Sequence, residues 1–412
     1  MPYSKKMRNI RRLSITIATT ITIGLLWSSL TLAKDKKPKP PKEFPPSPLE
    51  ITVPDPLLPQ NANQESLTLE EKRSLEAALD KLNQEARAKL QVGDSEGAFA
   101  TWNRELRLRR YLGTLAEIEA LSRVGGIAYT KNNRQQIRYI TERLQAIQKQ
   151  AQSQGTKDLQ VLQALGEAYS QVRSPSLAVE VYNQVLTIVR QNSDIVAEID
   201  TLKTIGRVHL EWFDYPEAAA TYEQLLSLVS NNSDIEASLQ NLTYIYDRTK
   251  QHQKAINART KLSLVYRQRN DITQLAALKL AIGSNYESLT KENPTLVDEA
   301  FQNYQEAYIM AWELQQYVRA AEALQKLVSL YVAQGQTEEA LQTSQILLQA
   351  EQRASNFYGM MNAYEQMGKI HLQRKENKLA LAAFQKGLEL AQQLGYETGE
   401  FTQQINQISG KV

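Results

Sequence analysis

The 412 residues carry 48 basic and 45 acidic side chains, a net +3, and five of the basic ones (Lys5, Lys6, Arg8, Arg11, Arg12) crowd into the first twelve positions. Beyond Ala33 the balance is 43 basic to 45 acidic, about −2, which leaves no basic footprint for nucleic acid. Cysteine is absent, so an exported form is held by packing alone, which fits a bacterial periplasm better than an animal secretory route.

The uncharged run Leu13 to Ala33 ends in Thr31-Leu32-Ala33, so residues 1–33 read as an export signal cut after Ala33. About twenty uncharged residues can also span a bilayer. An uncleaved anchor through 13–33 is the alternative and would be the chain's membrane contact. Eight Ser and Thr residues dilute the run, which favours the signal. Residues 34–66 form the next segment, and nine of the chain's thirteen prolines fall within 34–60. Each proline lacks an amide donor and fixes its own φ, so the segment reads as an extended, disordered Pro/Lys-rich spacer. A proline-rich ligand for another domain is the other reading.

From Leu67 to Val412 the pattern is helical and repeats. The unit is clearest at Ile195 to Asp234, where Ile199, Leu202, Ile205, Gly206, His209 and Leu210 mark one face of an amphipathic helix. Asp214-Tyr215-Pro216 interrupts it, and Ala218, Ala219, Tyr222, Leu225, Leu226 and Val229 form a second stripe. Two such helices cannot bury both stripes against each other, so copies must stack. Equivalent positions fall at Ala86, Gly126, Gly166, Gly206, Thr243, Gly283, Val328 and Gly368, eight copies at intervals of 40 apart from one of 37 and one of 45. The insertion at 290–295 accounts for the long interval. Short polar residues at 192–194, 232–234 and 270–271 stand where helix starts need side-chain acceptors; calcium binding would need more closely grouped carboxylates. Residues 399–408 read as a helix covering the last open face.

The residues Leu165-Gly166, Tyr169, Ala178 and Tyr182 resemble the tetratricopeptide repeat family, as do Ile282-Gly283, Tyr286, Ala300, Tyr304 and Met367-Gly368, Ala380, Phe384. The 40-residue period departs from the family's usual 34 and is similar to the long-helix variants of kinesin light chain and Rap-type regulators. The second copy lacks the Ala and the second aromatic after Tyr129. The resemblance implies an all-α, right-handed superhelical solenoid of stacked antiparallel helix pairs, with a concave groove that holds a protein or peptide. By family register the groove-facing positions are Gln163, Glu167, Lys203, Arg207, Gln240 and Tyr244. Lys203 and Arg207, four apart, can face one carboxylate or phosphate, or are an ordinary exposed pair. The family's carboxylate clamp is not reproduced around them.

Catalytic, metal-binding and cofactor motifs are missing: there is no His-Glu-x-x-His helix, phosphate loop or nucleophile elbow. His209 and His371 occupy the tyrosine packing column, and His252 lies in a turn. The expectation is a non-enzymatic interaction scaffold of the extracytoplasmic space. Two alternatives are an assembly factor for an envelope or photosynthetic-membrane complex and a peptide-gated sensor.

Overall fold

The computed structural model describes residues 46–52, 54–59, 67–155, 157–396 and 398–409. The signal or anchor expected at 1–33 lies outside them, as do 34–45 and 60–66. The chain divides into two units, Met1–Ser47 and Pro48–Val412, and the helices belong to the second.

Among the described residues the fold is all-α, with seventeen helices and no strand. They pair in chain order: α1 (Leu69–Gln91) with α2 (Ser95–Arg109), α3 (Thr114–Thr130) with α4 (Arg134–Ser153), α5 (Leu159–Gln171) with α6 (Pro175–Gln191), and α7 (Ile195–Glu211) with α8 (Tyr215–Leu228). The series continues with α9 (Asn232–Arg248) and α10 (His252–Gln268), α11 (Leu275–Leu289) and α12 (Val297–Glu313), α13 (Tyr317–Ala333) and α14 (Thr337–Arg353), and α15 (Phe357–Gln373) and α16 (Asn377–Leu394). Each pair packs on the next, and α17 (Gly399–Ser409) closes the series on α16. Among the described residues no helix is long and apolar enough to cross a membrane.

The 40-residue period has a local cause. Helices such as α9, α10, α13, α14 and α15 are 17 residues long, and most joints are three residues. Two such helices and two such joints make one period. The interval of 37 arises because α8 is only 14 residues. The interval of 45 arises at 290–296, where the 3-10 turn Pro294–Leu296 lengthens one joint. Each short joint within or between pairs except 229–231 is closed by a left-handed residue followed by an amide that reaches back five residues, as in Asp214 N to His209 O at 2.9 Å and Glu376 N to His371 O at 2.9 Å. Nine of these left-handed residues are not glycine, among them Asn132, Ser193, Phe213 and Lys375.

Helix starts follow the expected chemistry with one shift. Asp194 accepts from the Ala197 amide at 3.0 Å. For α9, however, the cap is Asn231, accepting from Asp234 N at 2.9 Å, and 232–234 are already its first turn. At 270–271 no side chain caps the backbone; Asp271 instead accepts from the Thr273 hydroxyl at 2.6 Å.

The core is built of columns. Ala98, Ala178, Ala218, Ala255, Ala300, Ala340 and Ala380 are all fully buried. In four of the eight pairs a ring from the second helix lies against the glycine of the first: Tyr182 on Gly166, Tyr222 on Gly206, Tyr304 on Gly283 and Phe384 on Gly368. The fifth copy departs from this, placing Arg259 at the aromatic position. It is buried, paired with Asp247, and donates to Asn285 Oδ1 at 2.6 Å. In the second copy the ruler residue is Gly125 and not Gly126. A Cβ on Gly125 would meet Val172 Cγ1 at 2.5 Å, whereas Gly126 faces only the end of the Gln171 side chain. Ala128 is accordingly buried, and Tyr129, expected in the packing column, is exposed beneath Arg173.

Leu49, Leu57 and Leu58, expected within the extended spacer of 34–66, pack on the helices instead. Pro48–Glu50 is a 3-10 turn whose Leu49 is 1% exposed in the core with residues of α2, α3 and α4. Leu57 and Leu58 lie against Leu75, Leu79 and Leu108. Prolines that exclude a helix do not prevent a chain from burying the leucines between them. At the opposite end Phe401 and Ile408 of α17 cover Phe384 and Ala391.

Candidate functional site

Helices α5, α7 and α9 carry the six positions expected to face a groove. Gln163, Lys203 and Gln240 occupy one repeat column, and Glu167, Arg207 and Tyr244 the next, one turn on. All are exposed except Lys203, which is half-buried. Packing forces this arrangement, since Leu162, Leu165, Leu202, Ile205, Leu239 and Leu242 take the buried stripe of the same helices.

Lys203 and Arg207 line one open cavity of 430 Å³, together with Asp234, Ser238 and Asn241 of α9 and the ring of Tyr222. The two cations do not converge on a vacant anion site. Lys203 Nζ sits 2.7 Å from Asp234 Oδ1 and 3.7 Å from Asp200 Oδ1, and Arg207 Nη1 sits 3.3 Å from Glu211 Oε1. Asn231 and then Lys203 hold the Asp234 carboxyl below its usual range through hydrogen bonds. The cavity wall therefore holds two cations that already have carboxylate partners, Asp234 among them on the wall itself, beside the neutral polar side chains of Thr204, Ser238 and Asn241. It suits a ligand that brings both donors and acceptors, as a peptide backbone does.

Burial dominates the phenols beneath this face. It pushes Tyr182 up to about 12, with Glu167 adding and Arg207 opposing, and pushes Tyr222 up in the same way. Both stay neutral donors at any physiological pH, and neither is an acid–base candidate. Glu167 also accepts from Gln171 Nε2 at 2.8 Å, and Gln240 Nε2 donates to Tyr266 Oη at 3.1 Å.

Tyr244 belongs to a feature that the repeat register does not anticipate. Its ring stands edge-on to Tyr215 at 6.3 Å, Tyr215 stands edge-on to Phe213 at 6.2 Å, and the Arg248 guanidinium lies 5.2 Å from the Tyr244 centroid. Phe213 is 71% exposed and Tyr244 42%. Asp234, Ala237, Asn241, Tyr244 and Arg248 recur at three and four residues, so the aromatic ledge continues the α9 stripe that lines the cavity. The signal for it was Trp212-Phe213-Asp214-Tyr215, aromatic residues in a joint where the preceding copy has Val172-Arg173-Ser174.

The three histidines lie in three different repeats. His209 Nδ1 lies 3.0 Å from Asp214 Oδ2 and His371 Nδ1 2.7 Å from Glu376 Oε2, each tying a first helix to the start of its second. His252 Nδ1 lies 3.2 Å from Asn285 Nδ2. Among the described residues no group of three or more His, Cys, Asp or Glu could hold a metal ion.

No protein-family model matches the chain, and no curated protein matches it. Similar solved structures include BtubC (BKLC) from P. vanneervenii, at 14% identity over 54% of this chain and 94% of that one with a TM-score of 0.37. MamA is similar at 20% identity over 46% of this chain and 96% of that one, TM-score 0.35. The apo form of RapI is similar at 13% identity over 81% of this chain and 98% of that one, TM-score 0.39.

Proposed function

We propose that the chain is a non-enzymatic interaction scaffold, exported to the extracytoplasmic space, that holds a protein or peptide on the face formed by α5, α7 and α9. The observation that carries this reading is the ledge of exposed Phe213 and Tyr244, joined through half-buried Tyr215, beside the cavity at Lys203 and Arg207. Aromatic and arginine side chains grouped around a concavity are the chemistry on which partner affinity concentrates. The helices beneath are fixed by buried columns, so the face is presented preformed and little ordering cost attends binding. The same resemblance to tetratricopeptide repeats that implies the helix pairs implies this use of their first helices. Export rests on the charge and apolar pattern of residues 1–33.

The test is photo-crosslinking in cells from Gln163, Arg207 and Tyr244, with exposed Thr187 on α6 as the control. A partner captured from the first three positions and absent from the fourth supports the reading. Equal capture from Thr187, or none from the three, removes the face from the function.

A further inference from the structure

The arm at 48–58 is held by a set of arginines, independently of the α7–α9 face. Arg104 and Arg107 of α2, with Arg110 just beyond it, are spaced by three residues and so share one side. Arg143 joins them from α4. Arg104 grips Asp55 with two hydrogen bonds, Nε to Oδ2 at 2.8 Å and Nη2 to Oδ1 at 2.9 Å. Arg107 Nη1 donates to the Pro48 carbonyl and Arg110 Nη2 to the Leu49 carbonyl, both at 2.8 Å. Arg143 Nη1 stands 3.8 Å from Glu50 Oε1, and between these polar contacts Leu49 enters the core.

Each contact is of a kind used for recognising a linear peptide: main-chain carbonyls read by arginine, two carboxylates matched by guanidinium groups, and one apolar anchor. The Arg104 hydrogen bond holds the Asp55 carboxyl below its ordinary range, and burial lowers Arg107. Arg107 and Arg110 spend their bonds on main-chain carbonyls of the Pro48–Glu50 turn, which carry no side-chain identity. What the site specifies is a leucine, an acid directly after it and a second acid six positions from the leucine.

We propose that this arginine-lined face is a second peptide-binding site, suited to an acidic segment of a partner protein with a leucine anchor held in a turn, and that residues 48–52 and 54–58 occupy it in cis. Arg143 is already paired with the buried Glu117 at 2.6 and 3.0 Å, and Glu117 also stands 3.7 Å from Arg110. The complementarity that selects such a partner therefore comes from Arg104, Arg107 and Arg110 facing an arm that brings Asp55 and Glu50. The tethered arm competes with any external segment at the effective concentration its short connection to α1 provides. The site is therefore closed until the arm is released.

The probe is a fluorescent peptide of residues 46–59, followed by anisotropy against the full chain. The native chain should bind it about 10²-fold or more weakly than a full chain carrying Leu49→Glu and Asp55→Lys, because the cis arm no longer competes in the variant. Adding Arg104→Glu and Arg107→Glu to that variant should abolish the gain. Far-UV circular dichroism checks that the helices persist. Asp55→Lys alone, which leaves Leu49 in the core, gives a smaller gain of the same sign and serves if the double variant does not fold. A folded arm-disabled chain that ignores the peptide overturns the proposal and makes the arm a fixed part of the fold. Native dimers that form with concentration and vanish in the Leu49→Glu, Asp55→Lys variant would overturn the partner assignment in favour of arm exchange between copies.

Discussion

At the scale of single residues, the glycine columns differ in tightness. A Cβ on Gly166 would stand 2.6 Å from Tyr182 Cζ, and one on Gly206 would stand 3.0 Å from Tyr222 Cζ. Alanine in a helix interior gains about 0.8–1 kcal/mol over glycine. At 166 the buried Tyr182 ring must move, an overpacking cost of roughly 1–3 kcal/mol, so Gly166→Ala should lower the thermal midpoint. At 206 the two effects nearly cancel, and Gly206→Ala should leave the midpoint almost unchanged. Equal shifts would mean that the rings do not set the spacing. A second residue-scale test concerns Glu351, which is 6% exposed in the space that Gly359 leaves beside it. Burial raises its carboxyl above 4.5, Asn356 Nδ2 opposes by donating at 2.7 Å, and Glu322 adds to the rise. A carboxyl raised in the fold favours its protonated form. The stability it contributes is complete below about 4.5 and is lost as pH rises through the elevated folded value. Glu351→Gln should therefore raise the midpoint at neutral pH and leave it unmoved near pH 4, as melting curves at the two pH values would reveal.

At the scale of the helix and its joint, Phe213 is an outlier. It adopts φ of 59° with its ring largely in solvent. The left-handed conformation costs a non-glycine residue about 1–2 kcal/mol. Some of that returns when glycine loosens the unfolded chain, so Phe213→Gly should stabilise the fold by about 0.5–1 kcal/mol. The same change should reduce partner capture from Tyr244, because the ledge loses its outermost ring. Stabilisation with capture intact would mean that the Phe213 ring is no part of the binding ledge, and no stabilisation would mean that its left-handed backbone carries no strain. This joint also marks the limit of what the chain makes legible. Helix faces announce themselves through period, and the eight pairs, their 40-residue spacing and the exposure of Gln163, Glu167, Arg207, Gln240 and Tyr244 follow from it. Joint residues obey no period, so Phe213 and the ledge it forms with Tyr215 escaped notice, and a one-residue slip at Gly125 stayed hidden because two glycines stand side by side. Arg259 escaped for another reason: a column of apolar residues gives no warning that a buried guanidinium replaces a ring when Asp247 and Asn285 are there to receive it.

At the scale of the array, each helix pair touches only its neighbours, so stability is a sum of local terms and the two ends decide how much of the stack stays closed. The ends are covered differently. The last pair is closed by α17, with the Phe401 ring against Gly387 and Phe384. At the other end Leu57 and Leu58 lie on α1 and Leu49 enters beside α2. That arm was not legible as a cover, because proline content states which conformations a segment cannot take and says nothing of the surface it meets. A nearest-neighbour stack makes a definite prediction for Phe401→Ala. Truncating a buried phenylalanine costs about 3–5 kcal/mol when the surroundings cannot relax, but here α17 can undock, so the loss is capped by the free energy of releasing that one helix. Hydrogen exchange should therefore speed up in α16 and α17, less in α15, and remain at native rates in α5 to α8. A uniform acceleration through all eight pairs would show that the array unfolds as one cooperative body and that its ends are not independent of the α7–α9 face.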